Sequence, residues 1–188
     1  MGDATESRFA RALSAFLAGL QAGMLGACWM LAWMGVSAVF ERRSFWTSEN
    51  LMSSVFYGGA AIRRGFAAST FSGLALYLLI YSLLGAGFAM AVRDRLPRRR
   101  VTLVSLVFAL CWYYAAFHLI ARSVAPLIAL LHAEGPTVIG HAIYGAFLAR
   151  YPVYLPGAGA VPVASAPEVE NPGAEPPVPE AHSEGPEQ

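Results

Sequence analysis

Lysine is absent from this 188-residue chain: all thirteen basic residues are arginine, a bias that reads as GC-rich coding rather than as function. Charge of either sign is scarce. Charged residues make up 13% of the chain, where a soluble domain carries about a quarter. The shortage is concentrated in the body, because six of the twelve acids fall in the last 21 residues. A net charge near +1 gives no electrostatic footprint for nucleic acid. Cysteine is limited to Cys28 and Cys111, each alone inside an apolar run. That spacing excludes a disulfide framework or a paired-cysteine metal site and leaves two small buried hydrophobes. Also missing are a glycine-rich phosphate loop, a zinc-protease motif, a serine-nucleophile elbow and an intramembrane aspartate pair.

What the chain has is apolar length. Hydrophobic residues reach 56% and the mean hydropathy is +0.50, which places most of the sequence in lipid. A membrane-spanning helix needs about 20 mostly apolar residues. Four stretches are expected to span: 13–40, 67–92, 101–121 and 137–151. The fourth is short, and Pro126 and Pro136 argue against one straight helix through the segment before it. The fold expected is an all-α integral membrane protein, a four-transmembrane-helix bundle over 13–152. Residues 1–12 form the N-terminus. From 153 to 188 an acidic, proline-rich tail is expected to be disordered, since 157–188 holds seven prolines, six glutamates and no aromatic residue.

Arginine in short loops sets orientation. With the N-terminus inside, Arg8, Arg11, Arg93, Arg95, Arg98, Arg99, Arg100 and Arg150 lie on the cytoplasmic side, and Arg42, Arg43, Arg63, Arg64 and Arg122 lie outside. Both termini are therefore expected in the cytoplasm. Leu25-Gly26-Ala27-Cys28 resembles a lipoprotein acceptor site, yet the sequence stays apolar to Phe40, so a retained helix is the reading.

Small residues recur every fourth position in the first span: Ala15, Gly19, Gly23 and Ala27. Helices in lipid associate by close backbone approach along such strips, here toward an internal neighbour or a second subunit. A weak echo joins GLALY, Gly73 to Tyr77, with GHAIY, Gly140 to Tyr144. It gives Gly73 and Gly140 related packing roles.

Between the first two spans lies SFWTSENLMSSVFYGG, residues 44–59. Ser48 reads as an N-cap, Glu49 suits the positive helix end, and Gly58-Gly59 reads as a stop. A helix over 48–58 extends about 15 Å, half a bilayer core. It is expected to lie at the outer interface, flat or dipping shallowly, with Phe45, Trp46 and Tyr57 at headgroup depth.

The same topology gathers a polar cluster on the outer side: Glu49, His118, Arg122, His132, Glu134 and His141. Ionisable groups inside spans face a bundle interior or water. His118 and His141 are the pair that would hold a metal or haem iron, but one histidine on each of two helices is thin for haem. No cofactor is expected, and hydrogen-bonded histidines near the headgroups are the ordinary alternative.

FWTSENLMSSVFYGG, then Gly65-Phe66 with Thr70 following, then GHAIYG, together resemble small bacterial multi-helix inner-membrane proteins of uncharacterised function, over roughly 13–152. The resemblance implies a helical inner-membrane protein and carries no activity. The leading functional reading is a structural, assembly or accessory role. Permeation by an oligomer is the alternative, and a membrane enzyme or redox protein using the outer histidines comes third. The partners expected are the bilayer and either a second copy or another membrane protein.

Overall fold

The computed structural model describes residues 2–156 apart from 64 and 94. The tail expected from 157 onward lies outside the described residues. Among the described residues there is no strand. In chain order the elements are α1 (Gly2–Phe40), α2 (Thr47–Tyr57), α3 (Gly59–Ile62), α4 (Ala68–Val92) and α5 (Arg98–Tyr114). A π-helical turn, Ala115–Ile120, continues α5 into α6 (Ala121–Val124), followed by α7 (Pro126–Leu131) and α8 (Glu134–Leu148). A 3₁₀ turn over Tyr151–Tyr154 ends the described chain.

Three helical stretches are long and apolar enough to cross a membrane: Arg8–Phe40, Ala68–Val92 and Arg99–Val124, of 33, 25 and 26 residues. The fourth stretch expected to span, 137–151, is occupied by α8, whose 15 residues measure about 22 Å against a hydrocarbon core of about 30 Å. Residues expected as an N-terminal extension belong to the first helix, which starts at Gly2. The tail boundary also moves. Tyr151 is buried, the turn Tyr151–Tyr154 packs on α1, and the Tyr151 ring meets Phe88 of α4 edge-on at 6.2 Å.

α1 lies between α4 and α8, and α5 packs on α8. The α1–α4 seam is where the small residues matter. A Cβ added at Gly19 would stand 2.5 Å from the Gly85 carbonyl oxygen, and one at Gly85 would stand 2.7 Å from the Gly23 Cα. Two backbones are in contact there, a separation that any larger residue forbids. Ala15 and Ala27 are buried in line with them. The strip from Ala15 to Ala27 thus faces an internal neighbour. Beside it, Tyr77, Tyr81, Tyr144, Met30 and Leu148 fill the centre of the bundle.

Proline and glycine punctuate the rest. Ala125 leaves the helical region (φ −145°, ψ 69°), as a residue preceding proline tends to, and Pro126 opens α7 at a position where its missing N–H is harmless. Gly58 ends α2 with φ +56° and donates its N–H to the Ser54 carbonyl. Ser48 is not the N-cap expected: α2 starts one residue earlier, after Trp46, with no side-chain cap.

Candidate functional site

Polar chemistry collects at the end of the bundle formed by the C-terminus of α1, the N-termini of α4 and α8, and the segment α2. Most of the inward-facing positions of α2 are polar. Glu49, Asn50, Ser53 and Ser54 are buried with Leu51, while Val55, Phe56 and Tyr57 are exposed. The buried polar face rests on α4, where Gly73 leaves room for the Glu49 main-chain carbonyl.

Asn50 explains why this face is polar. Its Nδ2 donates to the Gly65 carbonyl (2.9 Å), and its Oδ1 accepts from the Thr70 hydroxyl (2.7 Å). The Thr70 oxygen in turn accepts from the Ala67 N–H (3.0 Å), which holds the first turn of α4. One amide therefore fastens α2 to the 65–70 turn with its donor and acceptor both engaged. Glu49 is different. It is 2% exposed, and its Oε2 is buried without a hydrogen-bond partner. Burial pushes the carboxyl above its ordinary value, only partly opposed by its own backbone N–H. It does stand in the first turn of α2, the positive helix end, as expected, but there it is buried.

His141, on α8, is completely buried. Its Nδ1 lies 2.8 Å from the Thr137 carbonyl, which only accepts, so Nδ1 carries the proton. Nε2 of the neutral ring then accepts from the Tyr81 hydroxyl at 2.8 Å. Tyr144, at the end of the echo segment, donates to the Tyr81 carbonyl (2.8 Å). Both nitrogens of His141 are engaged, so the pairing of His118 with His141 as metal ligands is not what the structure presents. Gly140, the other echo position, faces Met30 with 3.0 Å available to a Cβ.

A cleft of about 510 Å³, counting the space at its mouth, opens beside these groups. Glu41 and Arg43 stand in its lining, paired with each other at 3.4 Å, and Tyr77, Phe117, His132 and Thr137 also face it. Tyr113 is central to the histidines: its ring lies 5.6 Å from His118, 6.2 Å from His132 and 5.3 Å from His141. His118 and His132 approach to 6.2 Å between ring centroids. Together with Glu134 they offer ligand atoms within 4.8 Å of one another. Arg122 is exposed on α6, and Glu49 packs against α4 rather than with the histidines.

Of the six polar residues singled out in the sequence, the structure brings together His118, His132 and Glu134, sets His141 beside them through Tyr113, and leaves Glu49 and Arg122 apart. Asn50, Thr70 and Tyr81 were missed. Asn50 and Thr70 sit inside the stretches already noted for their pattern, whereas Tyr81 looks like one more aromatic residue in an apolar span. No family model, curated protein or solved structure matches the chain.

Proposed function

We propose that the chain is a multi-pass protein of a bacterial inner membrane with a structural, assembly or accessory role. The observation that carries the membrane reading is the inverted face of α2. A helix resting on a water-exposed surface buries its apolar side. α2 buries Glu49, Asn50, Ser53 and Ser54 and turns Val55, Phe56 and Tyr57 outward, an arrangement suited to an apolar surrounding. On this reading α8 is a short fourth crossing, local bilayer thinning or flanking residues making up its length, and both termini are cytoplasmic.

The accessory role rests on how the polar groups are used. Among the buried residues described, the one carboxylate is Glu49 and the one imidazole is His141, and both belong to one end of the bundle. A permeation path through a single chain would need polar groups along its whole depth. Asn50, Thr70, Tyr81 and His141 instead bind one another or nearby backbone.

Two measurements test the proposal. In a chain with Cys28 and Cys111 replaced by serine, single cysteines at Ser48, Arg95 and Arg150 are probed in spheroplasts with an impermeant thiol reagent. Labelling of Ser48→Cys before lysis, and of the other two only after it, is expected. Labelling of Arg150→Cys from outside removes the fourth crossing. In liposomes the purified protein is expected to leave proton and ion flux at the level of empty vesicles; sustained flux would overturn the accessory role in favour of permeation.

A further inference from the structure

The geometry points to a divalent transition-metal site of the zinc class at the α5–α7–α8 corner, with His118, His132 and Glu134 as ligands. Their candidate ligand atoms lie within 4.8 Å of one another. Ligands about 2.0–2.1 Å from a tetrahedral zinc lie roughly 3.3 Å apart, so the group closes by small side-chain rotations. Glu134 is exposed and in the first turn of α8, where such a rotation meets little resistance.

His132 supplies the independent observation. Its Nδ1 lies 3.1 Å from both the Ile128 and the Ala129 carbonyl oxygens, so it is the protonated nitrogen. Nε2 then presents its lone pair, and that atom is buried with no hydrogen-bond partner. An imidazole whose far N–H is held by backbone carbonyl and whose near nitrogen is bare is oriented as metal-binding histidines are. An unsatisfied buried acceptor of this kind destabilises the fold unless something binds it.

The local backbone adds a second oddity. His118 stands on the π-helical turn Ala115–Ile120, a rare conformation that is frequent at functional sites. The Tyr114 ring stacks on His118 at 5.0 Å, and Phe117 packs on His132 at 4.6 Å. Aromatic walls thus fix both imidazoles. Two neutral imidazoles and one carboxylate suit zinc better than magnesium or calcium, which prefer all-oxygen sites. Three protein ligands leave one tetrahedral position for water or for a ligand entering the cleft that His132 lines. The site stands independently of the accessory role.

The test uses the full-length chain in mild detergent, stripped with a chelator and titrated with zinc against a competing fluorescent chelator. One zinc per chain with sub-micromolar affinity is expected. Removing a partner that merely orients a ligand weakens metal binding about 10–100-fold, so His118→Ala and His132→Ala should each weaken it by roughly 100-fold or more. Glu134→Gln, at an exposed position, should weaken it about tenfold without affecting folding. His182→Ala, in the tail, should change nothing. In the unaltered protein, zinc should protect His118 and His132 but not His182 from diethyl pyrocarbonate, read by peptide mass spectrometry. Absent stoichiometric binding, binding that survives either histidine replacement, or binding lost with His182 would each overturn the site.

Discussion

The α1–α4 seam and the α5–α7–α8 corner solve opposite problems. Along the seam, side chains are nearly absent where Gly19, Gly23 and Gly85 meet, and the backbones touch. Their N–H and C=O groups are already paired within each helix, so close contact needs no further polar partners. At the corner the helix is broken twice, at Ala125 and at His132–Ala133, and polar side chains are held in place with an acceptor left over on His132. The seam is built for contact alone, and the corner leaves an atom free to bind something. Rigidity and chemistry are therefore segregated along the bundle.

The sharpest way to break the contrast is on one helix. Gly85→Ala would place a Cβ 2.5 Å from the Gly19 carbonyl oxygen, whereas Gly87→Ala, two residues on, meets nothing within 4 Å. Gly85→Ala is expected to prevent accumulation of folded protein or to lower its thermal midpoint by ten degrees or more, on the order of several kcal/mol. Gly87→Ala should be neutral or slightly stabilising. Equal behaviour of the two in detergent melts would mean that the seam is not the tight contact described.

A smaller effect is expected where α2 joins α4. Asn50→Ala removes two side-chain bonds and strands the Thr70 hydroxyl and the Gly65 carbonyl, a loss of about 2–3 kcal/mol. Protease digestion should then cut first within 58–67 while the long helices survive. Cleavage spread evenly along the chain would show that α2 is not locally fastened.

Glu49 gives the smallest effect and the opposite sign. Its carboxyl is raised from 4.5, so the folded state holds the proton more tightly than the unfolded chain does. Stability is then greatest at pH values below 4.5 and falls as pH rises from there through the folded value, above which the deficit is constant. Glu49→Gln, which cannot ionise, should raise the thermal midpoint by a few degrees at pH 7 and by nothing near pH 4. A gain that is independent of pH would trace the effect to packing instead of ionisation.

How much of this was legible in the sequence differs by feature. The second span, expected at 67–92, appears as Ala68–Val92, and the short helix expected at 48–58 appears as Thr47–Tyr57, because apolar length and glycine stops act locally. The spacing of Ala15, Gly19, Gly23 and Ala27 marked a packing face for the same reason: helical periodicity is written in the chain. The inward polar face of α2 was not legible, since periodicity reports two faces without saying which meets protein. Nor was the partner of each histidine. Sequence puts His141 in an apolar stretch and His132 in the connection before it, but does not show that one has Tyr81 within reach from another helix and the other a bare nitrogen.

Sequence by itself pointed to a helical chain with four apolar stretches and a short two-faced segment, because hydropathy and helix periodicity depend on neighbours a few residues apart. Three of the four appear as helices long and apolar enough to cross a membrane. Only the tertiary structure decided that the glycine strip is closed by Gly85, that Asn50 reaches Thr70, and that His118, His132 and Glu134 share a corner. Those outcomes depend on which helix lies beside which, and contacts between segments tens of residues apart are fixed by packing, not by local pattern.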